Sequence, residues 1–293
     1  MDKPLIVGGQ AVIEGVMMRG GNKVATAVRE PNGKITVDVK DINSLSDRFP
    51  ILKKPFLRGV VTLCESLTMG IKALSFSAKM AGDEDEELTD KELYITIFFA
   101  FVLAALLFVA IPTGAVKLFH GLSEDPVMLN LFEGFLRLLV FLIYIFAISR
   151  MKDIERVFKY HGAEHKTIFC YEANKPLTVE NVQQFGRLHP RCGTAFLLIV
   201  MLVSIFVFAF LGWPDLWLRI LSRVLLLPVV AGISYEIIRF AGRTQNKMAR
   251  LAVLPGLWLQ YLTTREPEDD MVEVAIASLK AVLPEEEILS QAV

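Results

Sequence analysis

Long runs of residues without charge restrict the fold of this chain more than any other feature of its sequence. Residues 93–116 contain no charged side chain, and at about 1.5 Å per helical residue such a run is long enough to cross a bilayer. Three further apolar runs lie at about 130–148, 194–211 and 216–235. Because backbone groups inside lipid have to be hydrogen-bonded within the protein, these runs favour helices. The sequence therefore predicts an α-helical integral membrane protein with four transmembrane helices, arranged as two hairpins.

The composition agrees with a protein whose partner is the lipid bilayer. The hydrophobic fraction is 53% and the mean hydropathy is +0.47, both too high for an ordinary soluble domain. The net charge of −1 argues against nucleic acid as a partner. The three cysteines are an odd and scattered set, which indicates free thiols or a metal ligand and not a disulfide framework.

Positive charge is distributed unevenly around the four apolar runs. The segment between the second and third runs includes Arg150, Lys152, Arg156, Lys159 and Lys166. The segment after the fourth run includes Arg239, Arg243, Lys247 and Arg250. The other two connections are nearly free of lysine and arginine, so the positive-inside rule predicts a multi-pass protein of the cell (inner) membrane with both termini in the cytoplasm. Arg219 and Arg223, at the start of the fourth run, fit this orientation less well because they fall on the outer side.

A small α+β cytoplasmic portion is expected beside the spans, built from the N-terminal β segment, the central loop and the C-terminal helices. The division that we predict has six segments: a cytoplasmic β-hairpin and amphipathic-helix region at 1–82, an acidic linker at 83–92, transmembrane hairpin 1 at 93–149, a cytoplasmic histidine-motif segment at 150–193, transmembrane hairpin 2 at 194–236, and a cytoplasmic or interfacial C-terminal region at 237–293.

The N-terminal region combines β structure with one amphipathic helix. Residues 5–42 contain short apolar runs punctuated by Gly-Gly pairs, and the Asn32-Gly33 pair between two alternating runs predicts a hairpin turn. From about residue 55 to 80 the apolar residues recur at helical spacing. Such a helix either lies at the membrane surface or packs on the β segment, and we favour packing.

The C-terminal region is expected to lie against the cytoplasmic portion. Residues 251–262 are apolar but too short to cross a bilayer, and Pro255 with Gly256 is expected to break them. An interfacial or re-entrant segment that roofs the site fits this pattern. Residues 271–283 form an amphipathic pattern after a proline and several acidic residues, which predicts a helix that docks on the cytoplasmic portion.

The central segment carries the residues with the clearest chemistry. His161, Glu164 and His165 form an H-x-x-E-H pattern, in which two histidines one helical turn apart hold a zinc ion and the glutamate acts as general base on a water. Zinc, or another divalent metal, is therefore the expected cofactor. The alternative is a pair of buried histidines held only by hydrogen bonds.

Three further residues compete to complete a metal site. His189 and Cys192 lie three positions apart just before the third apolar run, and Glu236 ends the fourth. If both His189 and Cys192 bind, the metal has four protein ligands and is structural. If only one of the three binds, a position remains open for water and Glu164 can act as its base.

Five other charged residues are candidates for a functional role. Glu14 and Arg19 are polar residues in an apolar setting, for which an internal ion pair is the alternative. Glu133 and Arg137 are four residues apart near the outer end of the second run, where an ion pair can also reach the membrane interface. Arg191 lies between His189 and Cys192.

Several motifs together resemble one protein family. They read GGQAVIEGVMMR at 8–19, YHGAEHK at 160–166, HPRCGT at 189–194, LPGLWLQ at 254–260 and TTREP at 263–267. This combination resembles the YqhQ family, and the resemblance covers nearly the whole chain. It implies a bacterial, membrane-embedded protein of the kind described as a predicted metal-dependent enzyme, and it implies no substrate.

Three functions are compatible with these patterns. The first is a membrane-embedded, metal-dependent hydrolase at the cytoplasmic membrane surface that acts on a peptide bond or a lipid-linked ester. The second is a non-catalytic membrane scaffold or biogenesis factor, in which the histidine cluster is a structural metal site or a hydrogen-bond network. The third is a small transporter that uses the charged residues of the second and fourth runs, namely Glu133, Arg137, Arg219 and Arg223.

Overall fold

A small antiparallel sheet opens the chain. The computed structural model describes residues 5–82, 90–119, 125–241, 247–285 and 287. The four strands are β1 (Val7–Val12), β2 (Gly15–Gly20), β3 (Lys23–Arg29) and β4 (Ile35–Asp41), and they pair in chain order. The predicted β segment at 5–42 is therefore confirmed. Gly33 has a φ of +86° in the turn between β3 and β4, a conformation that glycine adopts without steric cost. Most of the predicted acidic linker, residues 83–89, lies outside the described residues.

The two faces of the sheet pack against different helices. Successive side chains of a strand point to opposite faces, so Val16 and Met18 of β2 face one side and Met17 faces the other. The first side packs on helix α11 (Asp269–Val282) and the second on helix α2 (Leu57–Ala81). The predicted docking of a C-terminal helix on the cytoplasmic portion is thus seen in α11.

Helix α2 follows a short helix α1 (Leu45–Arg48) and a 3₁₀ turn (Pro50–Lys53). It packs on β1 and β3 and also on helix α9 (Leu216–Ala241), so the predicted packing on the β segment is confirmed. Its length and apolar composition also meet the requirements of a membrane span, which the sequence pattern had not indicated.

Most of the remaining chain is helical. The helices in chain order are α3 (Asp90–Ala105), a π-helical segment (Leu106–Ala110), α4 (Ile111–Phe119), α5 (Pro126–Ile148), α6 (Lys152–Glu172), α7 (Val179–Gln183), α8 (Gly193–Ala209), α9, α10 (Lys247–Thr263) and α11. Four helices within the described ranges are long and apolar enough to cross a membrane: Leu57–Ala81, Tyr94–Val116, Pro126–Ile148 and Leu216–Ala241.

These four helices differ from the predicted spans at one place. The predicted runs at 93–116, 130–148 and 216–235 correspond to three of them. The predicted span at 194–211 is helix α8, which has 17 residues and is shorter than the other apolar helices. Helix α8 instead lies at the centre of the bundle, packed against α5, α9 and α10.

The first apolar helix continues past Pro112. Proline lacks the N–H that would bond the carbonyl of the residue four positions earlier, which is Phe108. The π-helical segment contains this carbonyl, and Arg137 of α5 donates its Nε–H to it at 2.9 Å. A side chain from a neighbouring helix therefore replaces the missing backbone donor.

The expected break at Pro255 and Gly256 is wrong. Helix α10 runs through both residues and packs along α8. A Cβ at position 256 would lie 2.6 Å from the Cβ of Ala195, so the glycine lets the two helices approach closely. This packing stabilises the helix across the proline, and residues 251–262 are part of the bundle.

Candidate metal centre

Helix α6 carries the H-x-x-E-H pattern, and its second half is buried on all sides. Every residue from 160 to 168 is buried, because β1 and β2, α7 and α11 all pack around this helix. Both imidazoles point into packed structure, since His161 is 9% exposed and His165 is 1% exposed. Gly162 is required here, because a Cβ at this position would overlap the carbonyl oxygen of Arg265.

Three side chains converge at one point inside the protein. His161, His165 and Cys192 each offer a ligand atom, and these atoms all lie within 4.8 Å of one another. The Nε2 atom of His161 lies 3.2 Å from the Sγ atom of Cys192, and the two imidazole rings are 4.4 Å apart between centroids. This group could hold a metal ion, as the sequence predicted for the histidine motif.

Backbone carbonyls determine which ring nitrogen of each histidine carries the proton. The Nδ1 atom of His161 lies 2.8 Å from the carbonyl oxygen of Thr263, and that of His165 lies 2.6 Å from the carbonyl oxygen of Arg187. A carbonyl only accepts, so each Nδ1 donates a hydrogen, and in the neutral ring Nε2 keeps its lone pair. Metal-binding histidines are commonly oriented in this way.

Among the candidate ligand atoms, Nε2 of His165 is the one whose hydrogen-bonding capacity is least satisfied. This atom is buried and has no hydrogen-bond partner among the residues that the structure describes. Burial lowers the pKa of His165, with a smaller opposing effect of its interaction with Cys192. The ring is therefore neutral, which is the form that binds a metal. A metal ion supplies the missing partner, so the residues present fit a bound metal.

Cys192 is placed by the start of helix α8. It is the N-cap residue, and its Sγ atom accepts a hydrogen bond from the backbone N–H of Thr194 at 3.4 Å. The positive end of the helix dipole favours negative charge at this position. Two imidazoles and one thiol form a nitrogen and sulfur ligand set of the kind found in zinc sites. The identity of the metal does not follow from this set alone.

Glu164 lies beside the three ligand atoms. Its Oε2 atom is 3.8 Å from Nε2 of His161 and 3.7 Å from Nε2 of His165. Strand β1 covers this side chain, since Gly9 lies directly against it. Burial raises the pKa of Glu164, while the nearby His161 and His189 and the Gly9 N–H act in the opposite direction. A raised pKa makes the Glu164 carboxylate a stronger base than an exposed one.

His189 lies next to the group without joining it. Its ring centroid is 5.6 Å from that of His165. Its Nδ1 atom accepts from the backbone N–H of Arg191 at 3.3 Å, so in the neutral ring the proton is on Nε2. That nitrogen is buried 3.7 Å from Oε2 of Glu172. Gln260 fixes the backbone of His189 with two hydrogen bonds. Burial lowers the pKa of the His189 imidazole.

Glu236, the other predicted ligand, lies elsewhere. Arg58 of α2 donates to both of its carboxylate oxygens, and the residue is absent from the group formed by His161, His165 and Cys192. The glutamate therefore joins α2 to α9. The place of Glu236 at the end of the fourth apolar run carried no information about its partner Arg58.

Three other residues that the sequence suggested as functional form ion pairs away from the candidate metal ligands: Glu14, Arg19 and Arg191. Glu14, in the turn between β1 and β2, accepts from Arg156 at 2.6 and 2.5 Å and from the hydroxyl of Tyr160 at 3.2 Å. Arg19 pairs with Glu65 at 3.1 Å, and Arg191 pairs with Glu172. Glu14 thereby ties the sheet to α6, one turn before His161.

Glu133 and Arg137 pair at 3.1 Å inside the helix bundle. Arg223 of α9 also binds Glu133. Asn130 accepts from Arg223 at 3.0 Å and donates to the carbonyl of Gly212 just beyond α8. The cluster therefore lies near the far end of α8 from Cys192.

Several residues that shape the centre were not found by sequence reasoning. Thr263 and Arg187 act through backbone carbonyls, and Gln260 acts through its side-chain amide. Every residue has a backbone carbonyl, so the residue type does not indicate which carbonyl will bond a histidine. Gln260 and Thr263 do belong to the C-terminal motifs at 254–260 and 263–267. That these motifs lie beside the histidines is set by tertiary packing, which the sequence alone does not show.

Comparisons with known proteins agree with the motifs. Residues 54–285 match a family described as "Protein of unknown function (DUF1385)". The chain is 39% identical over 304 residues to "Uncharacterized protein YqhQ" of Bacillus subtilis (strain 168), with 98% of this chain and 95% of the relative covered. No solved structure matches the chain. The chain therefore belongs to the DUF1385 family and is a relative of YqhQ, as its motifs predicted.

Proposed function

We propose that this protein is a membrane-embedded, metal-dependent hydrolase with its site at the cytoplasmic membrane surface. The observation that carries the proposal is the place of Glu164, whose buried carboxylate lies 3.7 and 3.8 Å from the two histidine nitrogens that keep their lone pairs. A base is needed at this position for hydrolysis, and a purely structural site needs none.

His161, His165 and Cys192 would hold the metal, for which zinc is our proposal. When bound, such an ion supplies a Lewis acid that polarises a carbonyl and makes water a stronger nucleophile. Glu164 takes the proton from the attacking water and returns it to the leaving group. Strand β1 lies against the Glu164 side chain and limits its movement. Three protein ligands leave a fourth position open, as catalytic zinc sites do.

The proposed substrate is a peptide bond or a lipid-linked ester near the membrane. Four helices have the length and composition of membrane spans, and Cys192 is at the first turn of α8, an apolar helix within the bundle. The positive charge of the segment between α5 and α8 supports a cytoplasmic location of this end. A substrate anchored in the inner leaflet would approach the site from this side.

A second candidate function is a membrane scaffold with a structural metal, and burial favours it. Glu164 is 4% exposed and Cys192 is 6% exposed, so strand β1 and the residues before α8 would have to move to admit a substrate. In this alternative the metal fixes α6 against the start of α8, and Glu164 contributes no chemistry. The small transporter remains the third candidate.

Substitution of Glu164 by Gln separates the two leading functions. The change removes the base and keeps the size of the side chain, so the enzyme would lose about 10²–10⁴-fold of its hydrolytic rate and keep its metal. The readouts are metal content by elemental mass spectrometry and complementation of a deletion strain. A Glu164→Gln protein that retains metal and complements fully would contradict the hydrolase and support the scaffold.

A further inference from the structure

A second cluster of charged residues lies inside the helix bundle, near the opposite end of α8 from Cys192. Helix α8 has 17 residues, which separates its two ends by about 25 Å. Glu133 of α5 is the centre of the cluster, with a side chain that is 1% exposed. Around it lie Thr113 of α4, Arg137 of α5 and Arg223 of α9.

The Glu133 carboxylate accepts four hydrogen bonds from described residues. Its Oε1 atom accepts from Thr113 at 2.8 Å, from Arg137 at 3.1 Å and from one nitrogen of Arg223. Its Oε2 atom accepts from a second nitrogen of Arg223 at 2.8 Å. Arg137 also donates to the carbonyl of Phe108. Glu133 therefore supplies one negative charge, which the guanidinium groups of Arg137 and Arg223 already share.

Arg219 is an additional cation one helical turn before Arg223. It is 5% exposed, and its Nε and Nη1 atoms are buried without a hydrogen-bond partner among the described residues. The guanidinium carbon lies 4.0 Å from the ring centre of Trp213. The Nε atom of Arg223 is likewise without a partner in the described part of the chain.

The described groups of the cluster therefore carry three positive charges and one negative charge. An unpaired buried charge is strongly unfavourable, and ionisable residues inside apolar helices are candidates for a functional role. Guanidinium groups match the geometry of phosphate oxygens, with several N–H donors in a fixed plane.

We propose that Arg219 and Arg223 form a binding site for a phosphoryl group. Arg219 is the fourth residue of α9, which places it roughly 5 Å from the start of the helix, near the depth of lipid head groups. The phosphoryl group belongs either to a phospholipid or to a free phosphate. Glu133 and Asn130 accept hydrogen bonds from Arg223 and hold it in position, and Trp213 covers Arg219.

Trp213 provides a direct reporter of binding. Substitution of the other two tryptophans, Trp217→Phe and Trp258→Phe, leaves Trp213 as the only indole. The purified full chain in neutral detergent is titrated with sodium phosphate against sodium chloride of equal ionic strength. A second titration uses mixed micelles containing phosphatidylglycerol, and a third uses diacylglycerol, which lacks the phosphate. Saturable change of Trp213 emission with phosphate or phosphatidylglycerol, and none with chloride or diacylglycerol, is the expected result.

The titrations also distinguish a phospholipid from free phosphate as the source of the phosphoryl group. A response to both phosphate and phosphatidylglycerol identifies a site for the phosphoryl group itself, and a response to phosphatidylglycerol alone identifies a lipid site. The absence of a saturable response to either compound would overturn the proposal. A response of equal size to chloride or diacylglycerol would also overturn it.

Variants of one residue test the role of Arg219. The Arg219→Gln protein is expected to bind at least tenfold more weakly, whereas the control Arg150→Gln, an exposed arginine beyond the other end of α5, is expected to bind as the wild type does. Arg219→Lys keeps the charge and loses the planar group, so it is expected to fall between the two. Should Arg219→Gln not fold, Arg219→Lys and the wild-type titrations decide the proposal. Equal binding by Arg219→Gln and wild type would contradict it.

Discussion

At the scale of single residues, the protein distinguishes the two nitrogens of each histidine by the carbonyl groups around them. The carbonyls of Thr263 and Arg187 accept from the Nδ1 atoms and leave the Nε2 lone pairs of His161 and His165 toward Cys192. His189 has the opposite arrangement, because its Nδ1 atom accepts. This difference explains why two of the three neighbouring histidines are suited to a metal and the third is suited to a hydrogen bond.

Cys64 and Cys170 are expected to react at different rates because one is exposed and the other is buried. Burial raises the pKa of the Cys170 thiol to about 11, whereas Cys64 is exposed. Since the thiolate is the reactive form, a raised pKa leaves little of it at pH 8. Iodoacetamide at pH 8 is expected to modify Cys64 well before Cys170, and the rate at Cys170 is expected to rise as the pH approaches 11. Mass spectrometry of the cysteine peptides measures both rates.

The unfolded chain is the control for this comparison. In a denaturant both cysteines are solvated, so their rates should become similar. Equal rates at Cys64 and Cys170 in the folded protein at pH 8 would contradict the buried environment of Cys170.

At the scale of elements, α6 depends on the chain that connects α10 to α11. The backbone N–H of Arg265 donates to the carbonyl of Phe158 at 2.9 Å, and the carbonyl of Arg265 lies against Gly162. The same connection supplies the carbonyl of Thr263 that orients His161. The C-terminal chain therefore both packs on α6 and sets the geometry of the centre.

A methyl group at position 162 tests this dependence. Gly162→Ala forces α6 away from Arg265, and we expect a loss of about 1–3 kcal/mol in the free energy of unfolding together with weaker metal binding. Thermal unfolding in detergent and metal content measure the two effects. Gly186→Ala is the matched control, because a Cβ there meets nothing within 4 Å. Equal stability of the two variants would contradict the close contact.

The joint between α2 and α9 provides a second test at this scale. Glu236 is held by Arg58, so Glu236→Gln is expected to lower the stability by about 1–2 kcal/mol and to leave the metal content unchanged. His165→Gln is the comparison, since it removes a proposed ligand. Loss of metal in Glu236→Gln without loss of fold would show that Glu236 belongs to the metal site.

At the scale of the whole molecule, the candidate metal centre and the arginine cluster around Glu133 lie near opposite ends of α8. Cys192 caps the start of this helix, and Asn130 of the arginine cluster bonds the backbone just beyond its end. If the helices cross a bilayer with the histidine motif in the cytoplasm, the arginine cluster lies near the outer surface. Its arginines then lie on the side where positive charge is uncommon, which is consistent with a binding role.

This orientation is measured by labelling single cysteines in a cysteine-free chain. Lys175 and Asp215 are exposed residues at the two ends of the bundle. A membrane-impermeant maleimide added to intact cells is expected to label Asp215→Cys and to label Lys175→Cys only after permeabilisation. Labelling of Lys175→Cys in intact cells would reverse the orientation.

The sequence predicted those features that depend on local patterns. The hairpin turn at Gly33, three of the four apolar helices and the approach of His161 to His165 all follow from short-range spacing. The choice among His189, Cys192 and Glu236 did not follow, because it depends on how α8 and α9 pack against α6. The packing of helix α2 on the β segment was predicted correctly, but its contact with α9 was not, because that contact is tertiary.

The central claim is that His161, His165 and Cys192 bind a metal ion. Its most direct test is the metal content of protein purified in detergent without added metal, measured by elemental mass spectrometry for wild type and for a variant with His161→Ala and His165→Ala. We predict about one zinc ion per chain in the wild type and none in the double variant. Wild-type protein that holds no stoichiometric metal, even after zinc is supplied and the excess removed, would contradict this claim and the proposed hydrolase with it.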